Sequence, residues 1–343
     1  MVTIGIDAHK RNHTAVAVDE QGRQLAQRTS GTTSSDHLAL VAWAARFPGR
    51  RWAVEDCRHL SRRLERDLLS GGERIVRVPP KLMAEARRGG RSFGKSDPID
   101  ALAVARAALR EPDLPVARLD GPEREARLLI DHREDLVAER TRMISRLRWH
   151  LHELDPDTEL APRSLTHLRN LARLAERLAG VEGTVARIAR DLVGRCHELT
   201  TEINQLEQEI ATLVERLAPS LLAICGCGAL TAAKILGETA GIERFKSPDA
   251  YARHNGTAPL PVWSSNRSRH RLNRTGNRQL NASLHRIALT QARQHPGAQA
   301  LLARRRANGD GGLEALRVLK RRLSDVVYRA LLADTTPAPT EAA

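Results

Sequence analysis

Aromatic side chains are scarce in this chain: Phe, Trp and Tyr together make up 3% of its 343 residues. A protein that grips single strands mainly by stacking bases on rings is thereby disfavoured. Cysteine is sparse as well, limited to Cys57, Cys196, Cys225 and Cys227. None of these forms a C-x-x-C pair, and the C-G-C at 225–227 suits neither zinc nor a disulfide, so a reduced, cytoplasmic setting is expected. No stretch approaches the roughly 18 apolar residues of a membrane span, and the start lacks a charged segment followed by an apolar run. Acids are outnumbered, with 41 Asp and Glu against 55 Lys and Arg, a net charge of +14.

What is present points to a folded, polyanion-binding protein. Hydrophobic residues reach 41%, enough for a buried core. The length fits about two domains of roughly 150 residues. The cations are nearly all Arg, whose planar fork donates two hydrogen bonds at once to a phosphate. Nucleic acid is the leading partner class, with an acidic protein or membrane surface as the alternative.

The opening V-T-I-G-I-D at 2–7 reads as a buried strand ending in a carboxylate. His13 to Val18 alternates as a second strand, Gln21-Gly22 is a turn, and Arg23 to Thr29 is a third. Ser35-Asp36 caps an amphipathic helix over His37 to Phe47. A strand at Arg51 to Glu55, a helix at Leu60 to Leu69 and a strand at Arg74 to Val78 follow, then helices at 81–88 and 98–110. This order implies a mixed α/β sheet with helices on its faces. Beyond Pro112 and Pro115 the chain is nearly all helical, beginning with a long charged helix over 122–153. Leu192, Leu199, Ile203, Leu206, Ile210, Leu213 and Leu217 recur at three- and four-residue steps or their sum, the spacing of a helical hairpin or coiled coil. Residues 218–333 are helical around a basic, polar loop at 257–279, and 334–343 form a disordered tail.

Asp7 and Glu55 end two expected strands, and Asp97 and Asp100 lie three apart at a helix start, on one face. Nuclease chemistry uses such a cluster: carboxylates are hard oxygen ligands for Mg²⁺, and two ions about 3.5–4 Å apart serve the attacking and leaving oxygens. Each acid also has a structural reading. Asp97 as cap, Pro98 at the first position and Asp100 at the third make an ordinary helix start. Four acids at these stations in an α/β order make coincidence the weaker reading.

In the C-terminal third, L-L-A-I-C-G-C-G-A-L-T-A-A-K-I-L at 221–236 has the form of a helix–hairpin–helix with Gly226 and Gly228 in the hairpin. Glycines there admit a phosphate to the backbone, or mark a plain turn between core helices. Arg267, Arg269, Arg271, Arg274 and Arg278 crowd into a dozen residues with Asn273, Gly276 and Asn277 among them. Such density repels itself unless phosphate neutralises it, which favours a phosphate clamp over a solvated loop.

The segments G-I-D-A-H-K, A-V-E-D-C and K-S-D-P-I-D-A-L-A-V-A resemble the N-terminal domain of the DEDD-type insertion-sequence transposases, a group that includes the Piv-type DNA invertases and RNA-guided recombinases. The resemblance implies a RuvC-like, ribonuclease H fold over 1–155, a coiled-coil or helical connector over 156–217, and a helical transposase domain over 218–333. It implies that Asp7, Glu55, Asp97 and Asp100 are catalytic and hold one or two Mg²⁺ ions, with Lys95 beside them as a nucleic-acid contact. His9 and Lys10 are read as loop or phosphate contacts, not metal ligands. Aligned on G-T-A-P at 256–259 and T-G-N at 275–277, the family's nucleophilic serine falls on Ser265, with Ser264 as the alternative because Asn266 replaces the usual glycine. The implied activity is Mg-dependent strand cleavage and exchange through that serine, meeting the tetrad in a composite site. Implied partners are double-stranded DNA, a structured non-coding guide RNA and further copies of the chain, as dimer or tetramer. Two other readings stay open: a Holliday-junction resolvase-like nuclease or DNA invertase using water, and a non-catalytic nucleic-acid-binding protein.

Overall fold

Strand-forming residues dominate the first eighty positions, and they build one sheet. The computed structural model describes residues 1–79, 82–83, 96–111, 114–157, 160–264, 267–271 and 276–335, which fall into two compact units, 1–120 and 121–343. The helix expected at 81–88 lies outside the described residues except for Leu82 and Met83, and Lys95 lies outside them altogether.

In the first unit β1 (Val2–Ala8), β2 (His13–Val18) and β3 (Gln24–Ser30) form the antiparallel meander expected from their alternation. The helices α1 (Ser34–Ala44) and α2 (Arg58–Ser70) carry the chain across to β4 (Arg50–Glu55) and β5 (Ile75–Val78). These strands extend the sheet in parallel, as helical crossovers require, giving the order β3-β2-β1-β4-β5. Three antiparallel strands joined to two parallel ones, with helices on both faces, make the mixed α/β sheet expected from the sequence. The cap of α1 is Thr33 in a capping box with Asp36, two residues earlier than Ser35.

Period-two burial sorts the two faces of the sheet. Ile4, Ile6, Ala8, Trp52 and Val54 pack with Leu40, Leu64 and Leu68 of α1 and α2. On the other face lies α3 (Asp97–Arg110), whose Ala101, Val104, Ala105 and Ala108 meet Val16, Val18, Ala53 and Val76. Its cap is Ser96, so Asp97 is the first helical residue and Pro98 the second, one place later in the helix than the sequence implies.

A buried histidine pair lies on the α1 side. His13 is 2% exposed, with its ring centroid 5.3 Å from that of His37, whose Nδ1 is 2.7 Å from Asp67 Oδ2. Burial first, then the nearby His37 and His9, push the His13 imidazole down to about 4. A depressed histidine contributes stability that is intact above its unfolded value near 6.5 and is lost as pH falls through 6.5 toward 4. Between pH 7 and pH 5 that loss is about 2 kcal/mol. Urea titrations should show the wild type losing that much unfolding free energy between the two pH values and His13→Gln not, and an equal loss in both would refute the assignment.

The second unit opens with α4 (Glu123–Leu154), paired antiparallel with α6 (Thr184–Leu217) through Arg133–Glu207, Arg195–Glu139 and Arg140–Thr200 contacts. The leucine-rich stripe of α6 therefore finds its partner in the helix that sequence alone groups with the first domain: Leu136 packs with Leu199 and Ile203. Helix α5 (Leu168–Ala179) closes the far end of the pair, where Leu171, Leu174 and Leu178 meet Leu147 and Leu151. Among the described residues the remaining α-helices are α7 (Pro219–Leu222), α8 (Ala229–Thr239), α9 (Pro248–His254), α10 (Arg278–Gln294), α11 (Pro296–Ala307) and α12 (Gly312–Thr335). They share one core with Ile130 and Ile210. Helix α12 continues to Thr335, and its Asp334 accepts from the Ser220 backbone N–H at 3.2 Å, so the chain is helical two residues into the expected tail.

The basic loop expected at 257–279 holds an antiparallel hairpin, β6 (Leu260–Ser264) and β7 (Arg267–Arg271), with Ser264 in register with Arg267. R-S-R-H-R carries no apolar alternation, so only its pairing with β6 makes it a strand. No helix among the described residues is long and apolar enough to cross a membrane.

Candidate active site

The site begins with the pleat of β1. Ile4, Ile6 and Ala8 face α1 and α2, which turns Thr3, Gly5 and Asp7 toward α3. Gly5 lets the helix touch the strand: a Cβ there would stand 2.2 Å from the Ala101 carbonyl oxygen and 2.4 Å from the Ala105 nitrogen. With Ala101 and Ala105 over Gly5, the acidic first turn of α3 comes to the carboxyl end of β1.

There three ligand atoms, from Asp7, His9 and Asp97, lie within 4.8 Å of one another. His9 Nε2 is 2.9 Å from Asp7 Oδ2 and 3.5 Å from Asp97 Oδ1. Asp7 is buried, Asp97 half-buried and His9 exposed, so the cluster opens to solvent on one side. Burial raises the Asp7 carboxyl above its ordinary value; His9 opposes this by charge and hydrogen bond, while Asp100 and Asp97 add to it. Asp100, 6% exposed, is thus an electrostatic neighbour of Asp7 although its carboxylate is outside the close group of three.

Glu55 ends β4, one step beyond the pairing of Ile6 with Val54, which puts it beside Asp7 at the same edge of the sheet. Both acids act on the Cys57 thiol, which burial first, then Glu55, and more weakly Asp7, push up to about 11. Sequence reasoning missed His9 as a part of this centre. His9 is two residues from Asp7, yet only the turn after β1, closed by the His9 N–H to Asn12 carbonyl bond, brings its ring back over the acid.

The donor set suits a divalent cation. Carboxylates at the end of a dry sheet are hard ligands for Mg²⁺ or Mn²⁺, and one imidazole is tolerated by Mn²⁺ and favoured by softer metals. The Asp7 carboxyl is raised by burial first and, more weakly, by Asp100 and Asp97, and such an ion would offset both effects.

The expected nucleic-acid residues of the second unit are placed as follows. Gly226 has φ +86, and a Cβ there would come 2.9 Å from Thr290 Cβ, so its glycine is required by the chain's own packing against α10. Gly228 caps α8 and has open space around its Cα. Asn277 is occupied internally: its Oδ1 accepts from the Gln279 and Leu280 N–H groups as the cap of α10, and its Nδ2 donates to Glu238 Oε2 at 2.6 Å. Arg278 beside it is exposed. The backbones of Arg267, Arg269 and Arg271 lie in β7 and Ser264 ends β6, whereas Ser265 and Arg274 lie outside the described residues.

With this geometry in view, two transposase family models match the chain: a DEDD, IS110-type "Transposase" model over residues 4–156, and the "Transposase IS116/IS110/IS902 family" model over 218–303. The chain is 28% identical to the insertion element IS116 44.8 kDa protein of Streptomyces clavuligerus, over 98% of this chain and 97% of that protein. It is likewise 28% identical to the insertion element IS900 42 kDa protein of Mycobacterium paratuberculosis, over 100% and 99%. Among solved structures, RuvC of Thermus thermophilus aligns at 17% identity with a TM-score of 0.28, over 34% of this chain and 100% of RuvC. RuvC of T. thermophilus in complex with a Holliday junction aligns at 18% identity and a TM-score of 0.25, over 32% and 94%.

Proposed function

The chain belongs to the IS110-type family of insertion-sequence transposases, and from that premise we propose that it cleaves and exchanges DNA strands using Asp7, Glu55, Asp97 and Asp100 as a Mg²⁺-holding set and Ser265 as nucleophile. That it is a DNA-processing enzyme of metal-dependent phosphoryl transfer follows from the family. The finer assignment rests on one observation above all, the convergence of Asp7 and Asp97, 90 positions apart in the chain, on one carboxylate centre beside Asp100 and Glu55.

When bound, Mg²⁺ supplies Lewis-acid charge that neutralises the phosphate and lowers the cost of an alkoxide. The protein's own groups do the rest. Asp7, held on the sheet and hydrogen-bonded to His9, gives the centre a fixed ligand. Asp97 and Asp100 arrive together on the first turn of α3. To His9, at the exposed side, the proposal gives the transfer of a proton to or from a departing oxygen. At Ser265 one phosphate ester is exchanged for another: the Oγ–P bond forms as a P–O bond of the DNA breaks, the hydroxyl proton leaves to a base, and the freed DNA oxygen takes one up. The bond energy is conserved for rejoining. Arg267, Arg269, Arg271, Arg274 and Arg278, with the +14 charge, supply phosphate contacts to DNA and to a structured guide RNA, and the long helices of the second unit join copies of the chain.

The test is a trapped reaction of the full chain with element-end DNA, Mg²⁺ and cellular RNA, run on denaturing gels. The wild type should yield a DNA–protein adduct whose peptide maps to Ser265, absent in Ser265→Ala. An adduct at Ser264 would move the nucleophile by one residue. Free 5′-phosphate ends without any adduct would replace the serine by water, and full activity after nuclease treatment would remove the RNA.

A further inference from the structure

Trp149 stands out against a chain with so few aromatics, because its side chain faces away from the core. It is 75% exposed on α4, whereas Leu147 and Leu151 on the opposite side of that helix are buried. At helical spacing it shares its face with Arg142, Ser145 and Arg146, and Arg148 and His152 flank it. All five of these neighbours are exposed. Among the described residues neither Arg142 nor Arg146 has an acidic partner, and the Trp149 ring has no ring or cation partner. Arg148 donates a 3.4 Å hydrogen bond to the Ala161 carbonyl. The nearest preceding acid, Glu139, is already paired with Arg195 at 2.8 Å. The hydroxyls of Thr141 and Ser145 turn back onto carbonyls of their own helix, leaving a low surface beside the ring.

We propose that the Arg142–Arg146–Trp149 face of α4 is a docking surface for a single-stranded stretch of polynucleotide, with the indole stacking on a base and the two guanidiniums on flanking phosphates. The chemistry selects this occupant. A flat, exposed indole offers a π-face that any base can cover, and arginines one turn away sit at the reach of a backbone phosphate. A second copy of the same face would set unpaired arginines against one another, which like charge opposes. Low overall aromatic content disfavours stacking as the main grip of the whole protein, and one anchored base within a largely electrostatic contact agrees with that. The surface shares no residue with the carboxylate centre, so the proposal stands whether or not that centre performs the chemistry assigned to it.

The experiment uses the full chain carrying Asp7→Asn, so that no cleavage intervenes, with 15-nucleotide oligo(U) RNA and oligo(dT) DNA in parallel. Trp149→Leu should weaken binding about tenfold or more, the loss of one stacked base, and should remove the fluorescence quench that binding causes. Arg142→Ala with Arg146→Ala should lower the slope of log affinity against log salt by about 1.4, two single-strand phosphate contacts. Loss with both strands, or with RNA alone, upholds the surface and says which polymer it takes. Unchanged affinity and quench in Trp149→Leu would overturn it. So would unchanged binding together with a shift of sedimentation toward the monomer, which would make this face a contact between copies. Trp149 is exposed, so Trp149→Leu should keep the wild-type circular dichroism and melting point, and a collapse of either would contradict the exposed placement on which the proposal rests.

Discussion

Asp7→Asn should leave the chain folded and lower DNA strand cleavage by at least about 10³-fold, or about 4 kcal/mol of barrier. Asparagine keeps the shape of the side chain at the end of β1 and removes only its charge. That charge is costly in the free protein: burial and the nearby Asp100 and Asp97 hold the Asp7 carboxyl above its ordinary range despite His9. Neutralising it removes a repulsion, so the melting temperature without metal should stay level or rise. The wild type should gain stability with Mg²⁺ or Mn²⁺ in proportion to the logarithm of metal concentration above its dissociation constant, and Asp7→Asn should not. The pattern separates a ligand from a structural acid, whose loss would lower the melting point and leave the metal response intact. Cleavage at the wild-type rate in a well-folded Asp7→Asn would end the carboxylate reading.

The second large effect is expected at Gly5. A methyl group there would be 2.2 Å from one backbone atom of α3 and 2.4 Å from another, and neither can rotate away as a side-chain tip can. Overpacking typically costs about 1–3 kcal/mol, and contact with backbone puts Gly5→Ala at the upper end. For a unit of this size that corresponds to a melting shift of roughly 10–20 °C. Gly5→Val should prevent the first unit from folding. Because α3 carries Asp97 and Asp100, Gly5→Ala should also lose metal-induced stabilisation, although no ligand has been changed. Gly194→Ala is the control. Gly194 lies exposed inside α6 with nothing within 4 Å of an added Cβ, and alanine there should stabilise by about 0.5–1 kcal/mol from helix propensity. Calorimetry of the two variants decides the matter, and a Gly5→Ala protein melting with the wild type would mean that α3 does not rest on β1 as described.

The strands and helices of the first unit are legible because each has a local signature. V-T-I-G-I-D is an apolar run that ends in an acid, and the His13–Val18 segment alternates, so their burial follows from spacing alone. Asp97 and Asp100 share a face because residues three apart in any helix do. The hairpin at 260–271 was not legible, because R-S-R-H-R becomes a strand only through its partner. Nor was the partner of the α6 stripe: apolar spacing shows that a helix buries one side, not that Leu199 and Ile203 will meet Leu136.

The sequence by itself determined the order of the strands and described helices of the first unit and which acids are candidates, since these depend on residue type and on neighbours a few positions apart. Only the tertiary structure decided that His9 joins Asp7 and Asp97, that Gly5 is the contact on which the acidic helix rests, and that Asn277 is consumed as a helix cap bonded to Glu238. Coulomb interactions and steric contact depend on distance in space, and between residues some ninety positions apart that distance is set by the packing of the sheet and its helices together.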